Sequence, residues 1–314
     1  MKKLAYLLAS VGMMLAALAV NIVFTMGGLA VLVSGKITDA LSQGLQRFTG
    51  LEKLLKDIIS DGDLVMEVTL IGTVGVGIVF VLWYRLVFAK KITSDAKLSF
   101  APRQIISIVL IGVFLQISVS LILTLVLPLF GNIASDYDEL TSSLTQASPL
   151  ITAVTIGLAA PIAEECVFRG CILRTLEKQF PFFVANIIQA LLFGLYHMNI
   201  VQGIYTFLIG MVFGYVVHRT KRIIPSMLLH ASLNLSAFLL DFLQEQRFFE
   251  SDIVTIAAML GSAAGVVFFI LLIKDVPGEA TAYDAFMVKR LPPAEALQAP
   301  DGDGEDPADD FYEE

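Results

Sequence analysis

The chain has 314 residues, is 56 % hydrophobic and has a mean hydropathy of +0.78. Soluble domains of about 45–50 % apolar content do not read this way, so a polytopic helical membrane protein is expected. The formal net charge of −8 belongs to one end: residues 275–314 hold twelve of the 29 acidic and two of the 21 basic residues, leaving 17 acidic and 19 basic elsewhere, and nothing points to nucleic acid.

A transmembrane helix needs about 20 predominantly apolar residues. About eight segments qualify in chain order: 4–33, 66–88, 104–130, 149–173, 182–198, 202–217, 223–240 and 253–273. The opening MKKLAYLLAS resembles a signal peptide, but its apolar run continues to Val33. That exceeds the ~7–15 residues of a signal h-region, so it reads as a retained first span. Between the first two spans, residues 36–63 space Leu41, Leu45, Phe48, Leu51, Leu54, Leu55 and Ile58 at intervals of three and four. This is an amphipathic pattern suited to the outer membrane surface or to packing on the bundle.

Lys and Arg set the orientation. With the N-terminus inside, the inner segments carry 16 of the 21 basic residues, and both termini are expected in the cytoplasm. The organisation expected is N-terminal transmembrane helices over 1–147, a helical core over 148–240, a last span over 241–273 and an acidic, disordered tail over 274–314. The tail composition is too polar to build a core.

The fourth span contains PIAEECVFRG, with two adjacent carboxylates and an arginine. A charge near the bilayer centre costs at least ~2.5–3.5 kcal/mol on insertion scales, so such residues are functional candidates. Glu165 and Arg169 stand four apart with the acid first, the favoured order for a helical ion pair. Glu164 is five from Arg169, about 140° around a regular helix, and is left without a local partner. A lone carboxylate in an apolar span is suited to proton transfer. Cys166 and Cys171, five apart, form no C-x-x-C pair and read as small packing residues.

The chain has three histidines. His218 lies in the basic segment VHRTKR and is expected to be interfacial. His197 and His230 lie inside apolar spans, and Asn234 stands one turn after His230. A single histidine in a span is commonly a packed, hydrogen-bonded residue. Two histidines, an asparagine and an unpaired glutamate on neighbouring helices suggest catalysis. A carboxylate with imidazole can polarise water, while imidazole and amide N–H donors can stabilise an oxyanion. Alternatively, Glu164, His197 and His230 could hold a zinc ion with an open position. No H-E-x-x-H helix and no G-x-S-x-G elbow is present.

Three ordered motifs, Glu164-Glu165-Cys-Val-Phe-Arg169, Phe193-Gly-Leu-Tyr-His197 and His230-Ala-Ser-Leu-Asn234, resemble the EExxxR, FxxxH and HxxxN pattern of the CAAX protease and bacteriocin-processing (Abi) family of intramembrane peptidases. The resemblance covers about residues 148–240. It implies an intramembrane endopeptidase of metallo- or glutamate type, in which Glu164 and His197 activate water while His230 and Asn234 stabilise the oxyanion. Glu165, Arg169 and Phe193 would support the site. The cofactor is zinc or none. The implied partners are the lipid bilayer and a membrane-embedded or lipid-anchored peptide, and the implied location is a bacterial cell membrane.

Helix lengths raise one difficulty. In upright helices at ~1.5 Å per residue, His197 lies over ~20 Å from its inner boundary, but His230 and Glu164 lie only ~10 and ~15 Å from theirs. Convergence therefore requires the helix carrying His197 to tilt or to begin deeper, with FPFF along the interface and a cavity open to the cytoplasm. The competing function is an ion or proton relay in a transporter, since intramembrane Glu, His and Arg also serve there. Transporters more often show paired repeats and broken helices, which the sequence lacks. A catalytically silent immunity or scaffold protein is the third alternative.

Overall fold

The computed structural model describes residues 1–42, 61–88, 102–132, 135, 137, 146–245 and 251–273. The 36–63 amphipathic segment beyond Ser42 and the acidic tail lie largely outside the described residues. Among those residues there is no strand, and eight long helices follow one another: α1 (Lys2–Ser42), α2 (Gly62–Val87), α3 (Pro102–Val126), α4 (Pro149–Leu176), α5 (Phe182–Tyr196), α6 (Ile200–Thr220), α7 (Ile224–Glu245) and α8 (Asp252–Ile273). The eight expected segments each coincide with one of them. The chain is a multi-pass integral membrane protein.

Six of the eight helices are long and apolar enough to cross a membrane unaided: α1, α2, α3, α4, α6 and α8. The fifth, α5, is equally apolar but has only 15 residues, about 22 Å at 1.5 Å per residue. The seventh, α7, has 22 residues but carries Ser226, His230, Ser232, Asn234 and Ser236. At the N-terminus, the apolar part of α1 runs 34 residues, Lys2–Gly35. This exceeds the ~20 needed, so α1 tilts or projects beyond the hydrocarbon. It continues through Ser42, past the expected end at 33, with no proline along its length.

Local signals set several helix ends. Asp61 caps α2 by accepting from the Leu64 N–H at 3.1 Å. Asn199 caps α6, accepting from the N–H groups of Val201 and Gln202 at 3.0 Å each. Pro181 precedes α5 in extended conformation, and Lys221 ends α6 in the left-handed region at φ 56°. Gly62 lets α2 start against the chain entering α4, where a Cβ would lie 2.7 Å from the Gln146 carbonyl carbon.

The fourth helix is the axis of the site. It contains two π-helical stretches, Ala153–Ala159 and Cys166–Leu173, which bracket the regular segment Ala160–Glu165. π turns are rare and concentrate at functional sites. Around α4, Met13, Ala17, Val76, Phe80, Leu192 and Phe193 from α1, α2 and α5 form one apolar core with Phe168 and Ile172. A second core joins α3, α6, α7 and α8 through Ile108, Ile111, Phe213, Leu229 and Ile273. On the periphery, large apolar residues such as Leu8, Ile22, Leu82, Ile106, Leu260 and Phe268 stay exposed, as lipid contact requires.

Candidate active site

Glu165 is the centre of the polar cluster. Its Oε1 accepts from Arg169 Nη1 at 2.7 Å and from His230 Nδ1 at 3.1 Å, and its Oε2 accepts from Ser226 Oγ at 2.6 Å. Glu165 and Arg169 are both fully buried, so the pair is tolerated only because its partners are in place. The expected ion pair is therefore present. It is not closed on itself, since Glu165 also holds His230, a tie that spacing within one helix could not show.

Arg169 is itself fixed from two sides. Its Nη2 donates to the Gly210 carbonyl at 3.2 Å, and its guanidinium lies 4.4 Å from the Phe193 ring centre and 5.0 Å from that of Phe213. These aromatic faces favour a desolvated cation. Gln189 Nε2 donates to the same Gly210 carbonyl at 2.9 Å and to Asn186 Oδ1 at 2.8 Å. Gly210 permits this approach, because a Cβ would stand 3.2 Å from both Arg169 Nη2 and the Phe193 ring.

Glu164 differs from its neighbour in access. Its side chain is 18 % exposed, whereas that of Glu165 is fully buried. Its Oε2 lies 3.8 Å from His230 Nε2, too long for a hydrogen bond. Glu164 has no ion-pair partner within its own helix, as expected, and the group that approaches it, His230, comes from α7. The widened π turn after Glu165 also alters the regular-helix angle between Glu164 and Arg169.

His197 ends α5 with its Nδ1 2.9 Å from the Phe193 carbonyl. A carbonyl only accepts, so Nδ1 carries the hydrogen and the neutral ring presents Nε2 as an acceptor. His230 likewise turns its Nδ1 to an acceptor, the Glu165 carboxylate. Phe193 stands between the imidazoles: its ring centre is 4.9 Å from that of His197 and 6.0 Å from that of His230, edge-on in both cases. His197 thus joins the cluster across Phe193, and among the described residues it makes no ion pair with Glu164. Asn234 Nδ2 donates to the Ile156 carbonyl in the first π stretch at 2.8 Å, which leaves one amide hydrogen free.

The helices meet because α5 is short and because Ser226, in the first turn of α7, already touches Glu165, eleven residues before the end of α4. His218 stays apart from the site, stacked on Phe182 at 3.7 Å and 3.6 Å from Glu177. Cys166 and Cys171 are free thiols buried in the core.

Donor chemistry and convergence give different answers about a metal. Both imidazoles donate Nδ1–H to a carboxylate or carbonyl and leave Nε2 free, as metal-ligating histidines do. Among the described residues, however, no three His, Cys, Asp or Glu side chains converge closely enough to hold an ion.

Ser226, Gln189, Asn186 and Gly210 are functional neighbours that the sequence did not single out. Ser226 stands one turn before His230 on the face that also carries Asn234. Asn186 and Gln189, three apart in an otherwise apolar helix, were the other available signal.

Residues 146–236, which contain all three motifs, match the family model described as Type II CAAX prenyl endopeptidase Rce1-like. A Bacillus subtilis (strain 168) protein named "Putative membrane peptidase YdiL" is 25 % identical over 127 residues, 40 % of this chain and 52 % of that protein. The match thus spans about half the length of this curated relative. No solved structure matches the chain. Both comparisons bear out the family resemblance carried by the three motifs.

Proposed function

We propose, from this likeness to the CAAX prenyl endopeptidases, that the protein is an intramembrane endopeptidase that hydrolyses peptide bonds with water activated at Glu164. The observation that carries the proposal is the division of labour between adjacent carboxylates. Glu165 is saturated by Arg169, Ser226 and His230, while Glu164 is partly exposed and faces the free Nε2 of His230.

The reaction follows from these positions. Glu164 takes a proton from water as the water oxygen attacks the scissile carbonyl carbon. His197 Nε2 accepts the second water hydrogen and orients the nucleophile. The developing oxyanion receives the spare amide hydrogen of Asn234 and, when His230 carries its second proton, its Nε2–H. The C–N bond then breaks, and the proton held by Glu164 passes to the leaving amine. Glu165 and Arg169 hold the His230 ring, and Phe193 spaces the two imidazoles. A site at this depth suits an extended, apolar chain from a membrane-embedded or lipid-anchored substrate.

A zinc ion on Glu164, His197 and His230 is a second arrangement, favoured by the Nδ1–H pattern of both rings; it would polarise the carbonyl and require closer convergence of the three. Proteoliposomes containing the purified protein are incubated with a membrane-anchored peptide library, and products are read by mass spectrometry with and without a chelator, alongside metal analysis. Cleavage lost in Glu164→Gln supports the proposal, and chelator-resistant cleavage by metal-free protein supports the water mechanism. Absence of cleavage by the wild-type protein together with proton or ion flux would replace it with a relay.

A further inference from the structure

The Glu165–Arg169 pair has an unusual geometry. An arginine facing one carboxylate commonly clamps both oxygens with two N–H groups. Here Arg169 gives Glu165 a single bond, from Nη1 to Oε1, spends Nη2 on Gly210, and leaves its buried Nε without a partner. The Nε–H lies on the far edge of the guanidinium from Nη1, so Glu165 meets Arg169 at one point and keeps Oε2 for another donor.

Ser226 is the donor that takes this second oxygen. Its hydroxyl donates to Oε2 of Glu165 at 2.6 Å. It has one hydrogen, and its other acceptor, the Phe213 carbonyl, is farther away at 3.4 Å. His230, one helical turn later on α7, takes the other oxygen at 3.1 Å. One helix therefore grips both oxygens of one carboxylate and fixes its plane. We infer that Ser226 is a positioning residue: by holding Oε2 it fixes the plane of the Glu165 carboxylate, so that Oε1 stays in line with the Nδ1–H of His230. This rests on the proposed function only for its kinetic consequence. The tautomer it predicts is a property of the resting protein.

The primary readout is the nitrogen NMR spectrum of histidine-labelled protein in lipid nanodiscs, with His197→Gln and His218→Gln variants used for assignment. Wild-type protein shows His230 with hydrogen on Nδ1. Ser226→Ala shows a mixture containing the Nε2–H form, and the near-isosteric Ser226→Cys, a weaker donor, falls between. The kinetic readout is cleavage of a library-derived peptide: kcat falls about 10- to 100-fold in Ser226→Ala, the range for partners that orient a functional histidine, with KM little changed. An unchanged His230 spectrum in Ser226→Ala, or one in Ser226→Cys, with kcat retained, overturns the inference. A purely structural serine would lower the melting temperature and leave tautomer and kcat per folded molecule intact. If the wild-type protein cleaves nothing, the protease reading fails while the tautomer comparison still decides the role of Ser226.

Discussion

Arg169→Met removes a fully buried cation held from several sides. It deletes the 2.7 Å bond to Glu165, the 3.2 Å bond to Gly210 and the contacts to Phe193 and Phe213, while methionine fills much of the space. Removing one member of a buried pair costs about 3–5 kcal/mol, because the other charge is left uncompensated. Ser226 and His230 still donate to Glu165, so about 3 kcal/mol, the lower end, is expected. Adding Glu165→Met removes the stranded carboxylate. Replacing a whole buried pair by well-packed apolar side chains is commonly neutral or stabilising by about 1–4 kcal/mol relative to the intact pair, so the double variant regains most of the loss. It does not regain cleavage, because His230 Nδ1 then has no acceptor. The assay is reversible unfolding of the four proteins of the cycle in mixed micelles, paired with peptide cleavage. A double variant no more stable than Arg169→Met would refute the claim that the two residues form one neutralising unit. Restored cleavage would refute the claim that Glu165 orients His230.

Other outcomes follow from the packing and caps. Gly112→Ala places a Cβ 2.0 Å from Ser232 Oγ and 2.5 Å from the Leu229 carbonyl, so thermal stability falls by about 1–3 kcal/mol as α3 is forced from α7. Met198, at φ 53°, lies between α5 and α6, directly after His197. Met198→Gly keeps cleavage and the melting temperature near wild type, whereas Met198→Val lowers both, since a β-branched residue resists the left-handed region. Asn199→Ala removes the α6 cap and costs about 1 kcal/mol in the same unfolding assay, with little change in kcat if the cap only stabilises the helix.

Much of the architecture was legible from apolar segment length, and each of the eight expected segments coincides with a helix. The weaker points are those where length alone misleads. The fifth helix is too short to span alone, and α7 is interrupted by the polar residues that build the site. Pairwise spacing on α4 identified Glu165 with Arg169 because an i, i+4 contact is local. The same reasoning could not find His230 on Glu165, or Glu164 beside His230, because those contacts join residues 65 and 66 positions apart. The π turns were equally hidden, since they arise from how α4 packs against α2, α5 and α7. Ser226 was visible as a polar residue one turn before His230, but its importance depends on its bond to the second oxygen of Glu165, which only the folded geometry exposes.

The most direct test of the central claim is the cleavage rate of Glu164→Gln against wild type on one library-derived peptide in proteoliposomes, with Cys166→Ser as control. The substitution keeps size and removes the base, so kcat falls by about 10²–10⁴, while Cys166→Ser is unaffected. Cleavage by Glu164→Gln at the wild-type rate would contradict the account.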